Sequence, residues 1–175
     1  MRLLRARDRV GVSWRNGAGS TQEVLCVGAD VGFDWRVSVA TIDRDAAFSR
    51  FDGCDRTLLL ARGGPVTLAM TGREVVLCAG DVLTFAGEDA VAARVAAPAL
   101  ALNVMTRREN FVHAVERIVV DGEIFLAATM IIALGDGLSF ASVALDPFDA
   151  IMLDGAAATL QGSGAALAIR IARSQ

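Results

Sequence analysis

The feature that most constrains this chain is its punctuation. Short apolar runs are broken by Gly, Pro, Asp or Asn about every 8–12 residues. No stretch of about ten residues keeps a 3.6-residue period with caps at its ends. Thr57–Ala61, Val66–Met70, Glu74–Cys78, Val82–Phe85, Val91–Val95 and Ala99–Met105 read as strands. Gly63-Gly64-Pro65, Thr71-Gly72, Gly80-Asp81, Gly87-Glu88-Asp89 and Pro98 separate them. Phe111–Val120 and Glu123–Leu134 flank Asp121-Gly122, a strong hairpin signal. Leu3–Val12 reads as one short mixed strand, and Asp45–Phe51 as a single helical turn with Phe48 and Phe51 at i, i+3. Such a chain folds as an antiparallel sandwich or barrel. A weak echo at a constant offset, Leu59–Leu68 against Ile151–Leu160, suggests that one β unit is duplicated.

The 175 residues suffice for one domain or for two small halves. Mean hydropathy is +0.47. The apolar stretch near Phe125–Leu134 is only about ten residues, too short to cross a bilayer, so the hydropathy points to a filled core and no membrane contact. Charge interrupts Met1–Asp8 at once, which leaves no signal-peptide core. Cys26, Cys54 and Cys78 are dispersed and odd in number, as reduced thiols in a cytoplasmic protein would be. All 17 cationic residues are Arg, scattered against a net charge of −3, with no Tyr for base stacking. That excludes a basic nucleic-acid face.

One segment departs from the small apolar background. Ser13-Trp14-Arg15-Asn16-Gly17-Ala18-Gly19-Ser20-Thr21-Gln22-Glu23 combines a large ring, a fixed cation, an amide and permissive backbone. It reads either as a loop that holds a small anion or as a decorated hairpin turn with Trp14 plugging the core. In Phe33–Ile42, Trp35, Val37, Val39 and Thr41 point one way and Arg36, Ser38, Ala40 and Ile42 the other. In a barrel the second face is the interior, where an Arg needs a partner or a ligand.

Catalytic patterns are thin. The single histidine, His113, sits on an apolar face and reads as structural, and no carboxylate cluster stands out, so no metal or other cofactor is expected. There is no Gly-x-Ser-x-Gly, no Cys with an evident base, and no phosphate loop. No catalytic residue is assigned. Recognition remains: Arg15, Arg36 and Arg56 with Asn16, Thr21 and Ser38 are the groups that hold a small acid on a rigid frame.

Trp14–Glu23 closely resembles the signature of the HutD/Ves family, usually Trp-Lys/Arg-Asn-Gly-Gly-Gly-x-Thr-x-Glu. Two further blocks agree in order: Trp35–Ala40 with Phe48–Arg56, and Phe85–Asp89 with Leu102–Arg108. By position, Trp14, Arg15, Asn16, Thr21, Glu23, Arg36, Ser38, Arg56, Asn103 and Arg107 match the family's motif residues. Ala18 replaces the middle Gly, and Ala99-Leu100-Ala101 stands where an acidic residue is expected. The resemblance implies a cupin-like (RmlC-like jelly roll) fold, two β units forming a double barrel, or bicupin, in one chain. The expected division is residues 1–107, carrying the loop, and a smaller unit of 108–175. It also implies association with histidine utilisation or stress and no established enzymatic activity. Cupin enzymes use a His-rich metal site that this chain lacks, so the fold imports no catalysis.

The expected function is therefore a cytoplasmic, non-catalytic protein that senses or buffers a small carboxylate metabolite of histidine degradation and moderates that pathway. Its ligand-binding residues are Trp14, Arg15, Asn16, Thr21, Glu23, Arg36, Ser38 and Arg56. A homodimer is compatible with this reading. The rivals are a metal-independent isomerase or hydrolase using Glu23 or Asp55, and a protein–protein interaction module.

Overall fold

The computed structural model describes residues 1–14, 16–28 and 32–174. Among them one 3-10 turn, Ala6–Asp8, is the only regular helix, and all other regular elements are strands. In chain order these are β1 (Arg2–Leu4), β2 (Gly11–Ser13), β3 (Gly19–Val27), β4 (Trp35–Ile42), β5 (Ala46–Ala47), β6 (Cys54–Arg62), β7 (Val66–Met70), β8 (Arg73–Leu77) and β9 (Val82–Ala86). Then follow β10 (Val91–Val95), β11 (Ala99–Arg107), β12 (Phe111–Ala127), β13 (Met130–Ala133), β14 (Leu138–Phe140), β15 (Val143–Ala144), β16 (Ala150–Met152) and β17 (Ala157–Arg173).

Two compact units result. One holds Val10–Val112 and the chain end from Arg173; the other holds Met1–Arg9 and His113–Ala172. The expected division at residue 107 does not foresee the place of the first nine residues. They join the second unit because β1 pairs with β16, Leu3 opposite Ile151. Leu3–Val12 is thus two short strands around a 3-10 turn rather than one.

The unit Val10–Val112 has a six-stranded sheet, β2-β3-β4-β11-β6-β9, and a four-stranded sheet, β5-β10-β7-β8. Among the described residues its strands pair antiparallel. Its core draws on both sheets: Ile42, Leu58, Leu60 and Ala101 meet Val66, Leu68, Val91 and Ala93. The Thr71-Gly72 hairpin forms as expected, with Met70 opposite Arg73 and Gly72 at φ 76°. The helical turn expected at Asp45–Phe51 does not form. Ala46 and Ala47 pair with β10, and the Phe48 N–H bonds the Val91 carbonyl at 2.9 Å. The i, i+3 phenylalanines instead pack on one guanidinium, described below.

In the second unit the order is β1-β16-β13-β17-β14-β15, with β12 also on β17. Ile131, Ile151, Leu160 and Ala168 are fully buried in its core. The hairpin expected at Asp121-Gly122 is absent: β12 runs unbroken from Phe111 to Ala127. Glu116 and Glu123, on either side of that dipeptide, reach Arg170 and Gln161 of the one strand β17, at 2.9 and 2.7 Å. Gly122, at φ 92°, lies within a continuous strand and does not reverse it. Both echoed segments are a strand, a Gly turn and a strand, and they bury Leu68 and Leu160 completely.

Asp149 is the charged anchor of this unit. It is 0% exposed, and its carboxylate accepts from Arg5 Nη1 at 2.7 Å, the Ala6 N–H at 2.7 Å and the Asp146 N–H at 3.0 Å. Burial pushes its carboxyl up, but the Ala6 N–H, the Arg5 guanidinium and the Asp146 N–H outweigh burial and hold it below the ordinary value. A depressed folded value contributes stability above the unfolded pKa of about 4, and that contribution is lost as pH falls through the folded value. Asp149→Asn therefore lowers the unfolding free energy at pH 7 by about 3 kcal/mol. The gap to wild type narrows in acid. Urea titrations at pH 7 and pH 3 check this, and a gap of equal size at both pH values contradicts it.

Candidate functional site

The Trp14–Gly19 loop closes on itself. The Trp14 N–H bonds the Gly19 carbonyl at 2.9 Å, and the Gly17 N–H bonds the Trp14 carbonyl at 3.0 Å. Asn16 Oδ1 accepts from the Ala18 N–H at 3.0 Å, the local turn that Asn side chains favour. Among the described residues of this loop Gly17, at φ 65°, uses the left-handed region and Ala18 does not, so the replacement of a Gly by Ala18 is unstrained. Gly19 has no room for a Cβ: one built there overlaps the Thr41 carbonyl oxygen. The Trp14 indole N–H donates to Thr21 Oγ1 at 2.8 Å, and its ring meets Phe48 edge-on, 6.5 Å between centroids. Both ends of the Trp14 side chain are thereby fixed.

Strand alternation and register supply the rest. Arg36, Ser38 and Ala40 leave one face of β4. Ser38 opposes Asn103 of β11, and Met105 of β11 opposes both Arg36 and Arg56 of β6. The two arginines therefore sit two strands apart in one row, about 10 Å between backbones, with Met105 between them. They share a cavity of about 400 Å³ with Trp14, Asn16, Thr21, Ser38, Asn103 and the wall Ala47–Ser49 and Phe51. Among the described residues its lining contains two arginines and no Asp, Glu, His or Cys.

Arg56 dominates the electrostatics. It is 7% exposed. Its Nε and Nη2 both donate to Asn103 Oδ1, at 3.1 and 2.8 Å, and Nη1 reaches the Ser49 carbonyl at 3.5 Å. The guanidinium carbon stands 4.9 Å from the Phe48 centroid, 5.2 Å from Phe85 and 6.0 Å from Phe51. Among the described residues no carboxylate pairs with it. Burial first, and the positive charge of Arg36 second, lower its pKa to about 10, so it stays a cation at neutral pH. A ring face contributes about 0.5–2 kcal/mol to a cation. Desolvating an ion costs several kcal/mol. Neutral partners alone leave this charge under-compensated, beside an open cavity.

Arg36 is the second cation, and its Nε donates to Glu23 Oε2 at 3.1 Å. Of the residues expected at a ligand site, Trp14, Asn16, Thr21, Arg36, Ser38 and Arg56 line the cavity together. Glu23 does not line it and instead holds Arg36 from the side. Arg15 lies outside the described residues. Asn103, Met105, Phe48 and Phe51 were not among the expected ligand contacts, though they line the cavity. Asn103 carried a signal as a motif residue; only register brings it to Arg56. Arg107, another motif residue, donates to the Asp52 carbonyl at 3.2 Å and stands over Phe33, away from the lining set. A divalent metal does not suit these donors, because two guanidinium groups repel it and the described lining offers no carboxylate, imidazole or thiolate. Among the described residues no group of three His, Cys, Asp or Glu is placed to hold an ion. His113 belongs to the other unit. Among the described residues no helix is long and apolar enough to cross a membrane.

Comparison with known proteins agrees with this architecture. Protein Ves of Citrobacter koseri is 39% identical over 101 residues, covering 55% of this chain and 53% of that protein. An uncharacterised protein encoded in the hutC 3′ region of Pseudomonas putida is 32% identical over 121 residues, covering 67% of this chain and 60% of that one. The chain thus spans little more than half the length of the curated relatives it matches. A conserved protein of unknown function from Pseudomonas aeruginosa PAO1 superposes with a TM-score of 0.88 at 26% identity, over 97% of each chain. HutD from Pseudomonas fluorescens SBW25, solved in a formate condition, superposes at 0.85 with 24% identity over 99% of each. A bacterial pirin from Escherichia coli, solved with nickel(II), superposes at 0.71 with 11% identity over 96% of this chain and 97% of its own, which makes the fold cupin-like. The HutD family profile matches residues 6–169, and the chain belongs to the HutD family, which is linked to the histidine-utilisation locus.

Proposed function

We propose that this chain is a non-catalytic, cytoplasmic binding protein for a small carboxylate metabolite of histidine breakdown, which it senses or buffers to moderate that pathway. In this reading its two units form a double cupin, and the cavity of the first is the ligand site. The observation that carries the reading is Arg56, a guanidinium buried to 7% exposure with no carboxylate partner among the described residues, facing a cavity with a second arginine. A carboxylate between Arg36 and Arg56 neutralises charge where neutralisation is worth most. Asn16, Ser38 and Asn103 offer neutral hydrogen bonds beside it, and Trp14 and Phe48 offer apolar walls. Among the described lining residues there is no Asp, Glu, His or Cys, which favours binding over turnover, since general acid–base chemistry needs such a group within reach.

Thermal unfolding against urocanate, formiminoglutamate, formylglutamate, glutamate and formate tests the reading. An acid at 100 times its Kd adds about 2.7 kcal/mol to wild type and shifts its midpoint. Arg36→Ala and Arg56→Met lose most of that shift. If no acid stabilises wild type, or if Arg56→Met keeps the full shift, the carboxylate site is wrong. A second expectation concerns the unliganded protein. Replacing a poorly compensated buried charge by an apolar side chain of similar volume is neutral to stabilising. Arg56→Met in chloride buffer therefore unfolds at or above the wild-type midpoint. A clear fall there means that Arg56 stabilises the fold and is not held in readiness for an anion.

A further inference from the structure

Glu23 is the charged group that the cavity itself does not explain. It follows Thr21 by two residues on β3, so both side chains leave the same face of the strand. Thr21 lines the cavity and Glu23 does not. Immediately after Glu23 the register shifts: Glu23 opposes Ser38, whereas Leu25 opposes Val37. Val24 is the extra residue, and at 7% exposure it is anchored in the interior. A bulge of this kind bends its strand and re-aims the side chain beside it. Here Glu23 reaches diagonally across to β4, and its Oε2 takes the Arg36 Nε–H at 3.1 Å.

The side chains of this pair are 49% and 23% exposed, for Glu23 and Arg36 respectively. An ion pair so open to water adds little to stability. Its consequence is geometric. A guanidinium has five N–H donors on a rigid plane, and occupying Nε leaves the Nη1–Nη2 edge for a two-point contact with a carboxylate. Among the described residues, neither Nη atom of Arg36 donates a hydrogen bond. Arg56 differs, because Asn103 occupies its Nε and Nη2. The two arginines thus present different edges, and Arg36 offers the fork.

We propose that Glu23 is a positioning residue of the anion site: by accepting the Arg36 Nε–H from outside the cavity, it presents the free Nη1–Nη2 edge of Arg36 to a ligand carboxylate. This rests on the carboxylate-binding reading above and goes beyond it, since Glu23 itself never touches the ligand.

The test uses the full chain in chloride buffer of constant ionic strength, titrated with the same five acids by calorimetry. Glu23→Ala weakens the acid that binds wild type best by about tenfold, the scale on which supporting partners of a binding group act. Glu23→Gln, which keeps an oxygen for the Nε–H, recovers most of that loss. Adding Glu23→Ala to Arg36→Ala costs nothing more, because the effect travels through Arg36. Without any acid, the Arg36 Nε–H proton exchanges slowly in wild type and Glu23→Gln and fast in Glu23→Ala, seen by nitrogen-15 NMR. Unchanged affinity in Glu23→Ala, an equal further loss in the Arg36→Ala background, or fast exchange in wild type each overturns the role of Glu23. Undiminished binding by Arg56→Met overturns instead the cavity reading on which it rests.

Discussion

The β4–β11–β6 ladder is the constraint on which the candidate site depends. One face of β4 and β11 carries Val37, Val39, Leu102 and Val104, all at most 5% exposed. The other face carries Arg36, Ser38, Asn103 and Met105 into the cavity. A slip of one residue would exchange these sets, placing two guanidinium groups where branched aliphatic side chains now pack. The hydrophobic set therefore holds the polar set in register. The spacing of Arg36 and Arg56 across Met105 follows from that register and the fixed distance between strands. The covering wall adds a second restraint. The Phe48 and Phe51 N–H groups bond the Val91 and Gly87 carbonyls at 2.9 and 2.8 Å, which seats both rings over Arg56.

Those parts of the fold that depend on neighbours in sequence were readable in advance. The alternation that turns Arg36, Ser38 and Ala40 to one side is a property of any strand. Thr71-Gly72 reverses the chain because a two-residue hairpin is settled by its own dihedral preferences. Asp121-Gly122 has an equally good local signal and fails, because β17 offers a partner long enough to pair both flanks. Phe48 and Phe51 mislead for a related reason. Their spacing suits a helix, yet what they share is a single cation on another strand. Leu3 opposite Ile151 has no local trace at all, since a pairing across so many residues is decided by which edge remains open.

At the candidate site, the chemical character of the residues was legible and their division of labour was not. Composition and alternation bring out Arg36, Arg56 and Ser38, and the resemblance adds the loop. That Asn103 saturates two donors of Arg56 follows only from the pairing of β11 with β6. That Glu23 meets Arg36 and does not line the cavity follows from the bulge at Val24, which no local signal announces. A motif groups residues by what they serve together and is silent on which of them meets the ligand.

Asp149 and Arg56 show why one buried charge reads as structural and the other as a site. Both are almost wholly withdrawn from water, at 0% and 7% exposure. Asp149 is met by a guanidinium and two backbone N–H groups, and these overcome burial, so its surroundings favour the charged form. Arg56 is met by an amide oxygen, a distant carbonyl and three rings, and burial with a neighbouring cation prevails, so its surroundings oppose the charged form. Each group remains ionised at neutral pH, and the fold bears the desolvation of both. It is repaid within the protein only for Asp149. A cation kept buried, stacked and oriented, beside an open cavity with a second cation, has the compensation it lacks at the place a bound carboxylate would stand.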